Sequence, residues 1–413
     1  MFRKITLCNF KSFERMEFNL TEGNVGKANS LALIYGANGS GKSNLIDSVV
    51  FLKLSTETLV GTGDDPDLGE MARSVKRIGS EGNMKLEFMF TNGNEDGEYL
   101  MEFDDDGRLV REKLDYTINK NAGNIFELVW ENGSITDCYS RQLFKNSAAK
   151  DIVEYGVRKH WGEHTLLSMI RREMLETDAD HLNEMLGTGM RNVIGYIDSI
   201  VICRPGYESM GPRAIDRSPE AGAMASEEAG CLKPFEKVAS AFVGSMFDDV
   251  ADLRYETEEF DDGLVAYEMT AGKEGGARMS LEDECQGVRE TVRILPALLA
   301  RALGGVAFVD NIEFGLHEMV LNSLFGECLS NSTGQLVATS HDTVVLENAN
   351  PHSIFMAKEG RIIPITEIER TQRNHNNRNR YFKGVFGAIP DPKPKNLAEL
   401  AAEHGLALNK NII

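Results

Sequence analysis

The stretch Gly36-Ala37-Asn38-Gly39-Ser40-Gly41-Lys42-Ser43 has the spacing of a phosphate cradle, G-x-x-x-x-G-K-S. Its glycines let backbone N–H groups turn inward around phosphate oxygens, and the helix that follows adds the positive end of its dipole. Lys42 is suited to the β- and γ-phosphates, and Ser43 to a magnesium ion. Such a metal seat needs an acid, and Asp310 qualifies at the end of the apolar run Val306-Ala307-Phe308-Val309. The expected cofactors are ATP and Mg2+. Gly36, Asn38, Gly39, Ser40, Gly41, Lys42, Ser43 and Asn44 would form the nucleotide side, with Ser43 and Asp310 on the metal. The long interval between the two segments excludes the layout of a small GTPase and suits a split nucleotide-binding domain.

These residues need a strand, a loop and a helix to hold them. The apolar run 30–35 enters the loop, and Leu45, Ile46, Val49, Val50 and Leu52 follow at helical spacing. Residues 1–20 read as two short strands. Residues 84–130 alternate through four more, separated by Asn-Gly, Asp-Gly and Gly-Asn turns, which predicts an antiparallel β-meander. Residues 145–200 turn helical, with amphipathic segments at 165–176 and 179–198. Residues 204–230 are rich in Pro, Gly, Ala and Ser and read as a mobile linker or excursion loop. Beyond them come helices at 232–247, 284–303 and 317–330 and strands at 250–257, 264–270, 306–310, 335–339 and 353–357. The expected organisation is α/β, in three parts: an N-terminal lobe 1–144, a helical insertion 145–247 and a C-terminal lobe 248–413. Sustained heptads are absent, so no long coiled-coil arm is expected.

The 413 residues are 42% hydrophobic and 26% charged, enough for a sizeable core. A net charge of −20 disfavours indiscriminate coating of nucleic acid. The basic, aromatic stretch Arg370–Lys383 offers a local DNA or RNA contact; the competing reading is a solvated segment packed through Tyr381 and Phe382. The six cysteines (Cys8, Cys138, Cys203, Cys231, Cys285 and Cys328) lack close spacings and read as reduced thiols. There is no signal-peptide core and no run of ~20 apolar residues. A cytoplasmic protein with no membrane partner is expected. His160 and His164 lack an H-E-x-x-H frame, and Asp64, Asp65 and Asp67 read as a loop, so neither group is taken as a metal site.

Six segments in order give the chain a family resemblance. LCNFKSF (7–13) precedes GANGSGKSNLIDSV; then come SLEDECQGVRETVRILPALL (280–299), VDNIEFGLHE (309–318), ATSHD (338–342) and RYFKGVFGAIP (380–390). Together they resemble the ABC-type ATPases of the SMC/RecF/OLD group, and more narrowly the RloA-like AAA-family ATP-binding proteins of bacterial defence operons. The resemblance implies an ABC-type P-loop domain and an ATP-gated homodimer or higher oligomer. In that dimer each nucleotide lies between one P-loop and the partner's signature segment, here Cys285 and Gly287. It also implies that His341 senses the γ-phosphate. Three departures stand out. Asn311 occupies the place of the usual catalytic glutamate, with Glu313 two residues on. Cys285 replaces a serine, and no glutamine stands between the P-loop and Gln142. Slow hydrolysis is the expectation, with Asn311, Glu313 and His341 as the catalytic candidates.

The expected function is an ATP-gated subunit that controls a separate effector, a nuclease or toxin, in anti-phage defence. The alternatives are a RecF-like DNA-repair ATPase that binds DNA directly and an ATP-binding scaffold without turnover.

Overall fold

The computed structural model describes residues 1–22, 26–59, 67–118, 121–140, 143–177, 184–204, 218–261, 263–328, 332–347, 349–371, 376–387 and 395–404. Alternation of apolar and polar residues builds the first sheet. Its seven strands are Phe2–Phe10, Phe13–Asn19, Met84–Asn92, Glu95–Phe103, Leu109–Ile118, Asn121–Glu131 and Ser134–Tyr139. They are antiparallel, and the first strand sits between the second and Met84–Asn92. One face is apolar, as in Met84–Asn92, where Met84, Leu86, Phe88 and Phe90 are buried.

The second sheet runs Val201–Cys203, Val306–Val309, Gln335–Thr339, Leu31–Tyr35, Ile354–Lys358, Arg361–Pro364. The first five strands are parallel and the last is an antiparallel edge. All five parallel strands are buried at nearly every position, as a parallel sheet covered on both faces requires. Its strands come from all three segments expected as separate lobes. The span 145–247, expected as a helical insertion, also carries the strands Val201–Cys203 and Ala221–Ala225. Lobe borders therefore run through shared sheets.

Helix Lys42–Ser55 lies between the two sheets and buries residues around its whole circumference, including Leu45, Ile46, Val49, Phe51 and Leu52. Phe51 meets Phe103 of the meander edge-on at 5.4 Å. Phe2 and Phe308 join the sheets directly at 5.3 Å, and Phe18 and Phe355 at 5.2 Å. Gln335, fully buried, fastens the same seam. Its Oε1 accepts from Phe2 N at 2.6 Å, and its Nε2 donates to Phe2 O and Asn29 O at 2.9 and 2.8 Å.

The predicted helical region holds Ser147–His160, Leu166–Glu176 and Thr188–Asp198, while 178–183 of the expected 179–198 segment lie outside the described residues. Glu112, buried in the meander, fastens the first two of these helices to it. It accepts from Tyr99 Oη at 2.9 Å, Trp161 Nε1 at 2.8 Å, and the backbone N–H groups of Leu166 and Leu167 at 2.8 and 3.4 Å. Burial pushes its carboxyl up to about 7 against the pull of those donors.

A third sheet pairs Val250–Glu259, Leu264–Lys273, Ala221–Ala225 and Arg278–Ser280, and helices Leu232–Gly244 and Gln286–Ala302 share its core. The expected linker 204–230 is corrected here: 205–217 lie outside the described residues, but Ala221–Ala225 is a strand paired to Leu264–Glu268. Backbone pairing, not side-chain pattern, recruits this Ala- and Gly-rich segment. The helix expected at 317–330 is α-helical over Glu318–Ser323 and π-helical over Leu324–Cys328. The longest described helix, Gln286–Ala302, has 17 residues. No described helix is long and apolar enough to cross a membrane.

Candidate nucleotide site

The loop 36–41 joins strand Leu31–Tyr35 to helix Lys42–Ser55 at the carboxyl edge of the parallel sheet. Two glycines are required by geometry. At Gly36, φ is 154°, and a Cβ would fall 2.5 Å from the Ala357 carbonyl oxygen. At Gly41, φ is 97°, and a Cβ would strike the Phe13 ring at 2.7 Å. The second contact accounts for the N-terminal segment LCNFKSF: its turn underlies the loop, and Ser12 Oγ accepts from Asn44 Nδ2 at 2.7 Å. Asn38 and Gly39 are exposed at the loop's crown.

Lys42 is 5% exposed, and its Nζ donates to Gly36 O at 2.8 Å and Ala37 O at 3.1 Å. Burial lowers its pKa, opposed by the charges of Asp310 and Glu313. Ser43 Oγ donates to Asp310 Oδ1 at 3.1 Å, and Thr339 Oγ1 donates to the same oxygen at 2.6 Å. Thr339 ends the strand between those of the P-loop and Asp310, so a strand end and the first turn of the P-loop helix converge on one carboxylate.

Asn311 has φ 52°, the left-handed region, and its N–H donates to Thr339 Oγ1 at 2.8 Å. Asparagine tolerates that conformation better than most residues, so a backbone requirement underlies its presence. Glu313 Oε1 accepts from His341 N at 2.7 Å, which binds the segment after the Asp310 strand to the histidine loop. His341 has its pKa lowered, first by desolvation and then by the Lys42 charge, which favours the neutral imidazole.

Two buried polar atoms here have no hydrogen-bond partner: Ser40 Oγ in the loop and Glu313 Oε2. Orphans of this kind mark where a ligand would be satisfied. The hydroxyl of Ser43 and the carboxylate of Asp310 are hard oxygen donors suited to Mg2+. Among the described residues no group of three or more His, Cys, Asp or Glu could hold a metal by itself, so nucleotide oxygens would have to complete such a seat.

Cys285 caps helix Gln286–Ala302 without a side-chain hydrogen bond and is exposed. Gly287 faces Gly315, whose carbonyl oxygen would lie 3.6 Å from a Cβ there. The structure thus brings the loop, Asp310, Glu313 and His341 together, whereas Cys285 is exposed and Gly287 lies against Gly315 and Phe247, apart from that cluster.

Arg204 was not anticipated from sequence. It follows strand Val201–Cys203, pairs with Asp47 of the P-loop helix, and places Nε 4.0 Å from Asp310 Oδ2. Nothing local marks it, because its partners are distant in sequence. In the basic segment 370–383, residues 372–375 lie outside the described residues. Arg378 donates to Thr343 Oγ1 at 3.1 Å and pairs with Glu347 and Glu318 at 3.4 and 3.7 Å. Arg380 donates to Thr371 Oγ1 and lies over the Phe386 ring.

The family described as "AAA domain, putative AbiEii toxin, Type IV TA system" matches residues 31–347, from the P-loop strand through the histidine loop. The chain belongs to this AAA family. Membership makes the P-loop chain an ATP-binding, ATPase-type protein. No curated protein matches it. Among solved structures, this AAA chain is similar to an SMC head bound to the C-winged helix domain of ScpA, at 14% identity and TM-score 0.47, covering 88% of this chain and 97% of that one. It is also similar to the SMC head domain from Thermotoga maritima, at 15% identity and TM-score 0.38, covering 88% and 98%. A third is the Smc head with an extended coiled coil derived from Pyrococcus furiosus, bound to the C-terminal domain of ScpA, at 12% identity, TM-score 0.43 and 88% and 95% coverage. At these values the function of the AAA chain has to be read from its own residues.

Proposed function

We propose that the chain is an ATP-gated subunit of an RloA-like defence ATPase, dimerising on nucleotide and controlling a separate effector, with slow hydrolysis. The observation that carries the nucleotide reading is the convergence of Ser43, Thr339 and Asp310 beside a loop whose Gly36 admits no side chain. Lys42 would turn from the Gly36 and Ala37 carbonyls to the β- and γ-phosphates, and the loop N–H groups would hold phosphate oxygens. Ser43 and Asp310 would hold Mg2+, which supplies charge neutralisation on the phosphates. His341, kept neutral, would meet the γ-phosphate as a hydrogen-bonding group. Asn311 cannot accept a proton, so it would leave the attacking water unpolarised.

Support for an ATP-gated ABC-type dimer comes from the exposed Cys285 and Gln286 beside Gly287, which lies against Gly315, next to the 43% exposed Phe314. Support for a defence setting comes from the toxin and type IV system in the family's description. The engagement of Arg378 and Arg380 within the chain favours this reading over direct DNA binding.

Light scattering of the purified chain tests the dimer. ATP is expected to double the mass of the wild type and leave Lys42→Ala monomeric. A wild type that stays monomeric at saturating ATP overturns ATP-gated dimerisation. Co-purification with the product of a neighbouring gene tests control of an effector.

A further inference from the structure

Beside the nucleotide site runs a line of charge that the phosphate chemistry does not require. Lys11 pairs with Oδ2 of Asp47, and Arg204 with its Oδ1. The same guanidinium places Nε 4.0 Å from Asp310 Oδ2. The order Lys11, Asp47, Arg204, Asp310 alternates in sign and sums to zero. The side chains of Asp47 and Asp310 are 8% and 5% exposed, so water screens these charges poorly. Asp310 accepts two neutral hydroxyls at Oδ1, and the Arg204 guanidinium faces its Oδ2 at ion-pair distance, 4.0 Å.

Sheet geometry holds the guanidinium there. Strand Val201–Cys203 pairs in parallel with Val306–Val309, and Asp310 N donates to Cys203 O at 2.9 Å, which fixes the two strand ends side by side. Asp47 stands on helix Lys42–Ser55, one turn beyond Ser43. Arg204 therefore spans from the phosphate-loop helix to the carboxylate of the neighbouring strand.

We propose that Arg204 is a built-in counter-ion of the metal seat, a positioning residue that keeps divalent cations away from Asp310 until a triphosphate arrives. A free divalent ion approaching Ser43 and Asp310 meets a carboxylate whose charge is already matched and a fixed positive charge close by. A triphosphate adds anionic oxygens to which the planar fork of an arginine can turn, releasing Asp310. Metal then enters with the nucleotide and not before it. The inference rests on the nucleotide reading of the P-loop given above.

Manganese(II) is the probe, since it accepts the same oxygen ligands as Mg2+ and its free form is read by electron paramagnetic resonance. The full chain is titrated with and without ATP. Wild type and Arg204→Lys are expected to bind Mn2+ only with ATP. Without ATP, Arg204→Gln is expected to take up Mn2+ at concentrations where the wild type takes up none, a gain in affinity of about ten-fold or more. An Arg204→Gln chain that excludes Mn2+ as the wild type does overturns the counter-ion. Asp47→Asn approaches from the other side: it leaves the guanidinium to Asp310 alone and is expected to weaken ATP-dependent Mn2+ binding about ten-fold. Unchanged binding in Asp47→Asn also counts against the proposal. A wild type that takes up no Mn2+ even with ATP overturns the nucleotide reading itself.

Discussion

Ser43 Oγ and Asp310 Oδ1 stand 3.1 Å apart although 267 positions separate them. The hydroxyl at the start of the P-loop helix and the carboxylate that ends a strand two places away in the sheet are thus held within hydrogen-bonding distance. A site preorganised in this way loses little ordering entropy on binding, so its side chains should respond to substitution one at a time.

Lys42→Ala is the most direct case. The ammonium is buried and held by two carbonyls of its own loop, ready to exchange them for phosphate oxygens. Hydrogen bonds to charged groups contribute about 1.5–3 kcal/mol, so ATP affinity should fall about 10- to 100-fold. Titration of a fluorescent ATP analogue measures it. Because the change also removes a charge that burial disfavours, the thermal midpoint should hold or rise.

Asn311→Asp restores an acid while keeping a residue that accepts the left-handed backbone at φ 52°. Phosphate release in single turnover should rise about 100-fold, the low end of what a positioned general base contributes. Asn311→Ala should leave the rate low and cost about 1 kcal/mol in stability. An unchanged rate in Asn311→Asp would falsify the assignment of this position to the attacking water.

Glu112 predicts a pH dependence. Its folded-state carboxyl titrates near 7, above its ordinary value of 4.5, so folding favours the protonated form. That contribution is fully present below pH ~4.5 and is lost as pH rises through about 7, amounting to about 3 kcal/mol over the interval. Urea denaturation between pH 5 and 8 should show stability falling, and Glu112→Gln should flatten the slope. The glutamine also places an amide N–H₂ among four donors, which should cost about 1–3 kcal/mol at pH 7. A slope unchanged in Glu112→Gln removes Glu112 as its source.

Strand Leu31–Tyr35 and helix Lys42–Ser55 were legible in the sequence because local rules suffice: an apolar run, a glycine loop, then helical spacing. The meander was legible from alternation and turn dipeptides, although its last strand, Ser134–Tyr139, was missed because it buries almost nothing. Strand Ala221–Ala225 was misread as linker because small residues carry no pattern, and only its partner Leu264–Glu268 makes it a strand. At the site, Asp310 was anticipated from the strand it ends. The left-handed turn at Asn311 and the reach of Arg204 to Asp47 depend on tertiary placement, which no window of sequence contains.

The position of the P-loop strand within its sheet also has a consequence for synthesis. Leu31–Tyr35 lies between Gln335–Thr339 and Ile354–Lys358, both made long after it leaves the ribosome. At about 5–20 residues per second, the strand waits tens of seconds with both edges unpaired. A product cut short before Ile354 has no complete cradle, since Ala357 walls the loop at Gly36. Occupancy by nucleotide would thus report on the integrity of nearly the whole polypeptide, and the interval before it is when nascent chains are most exposed to strand-edge aggregation.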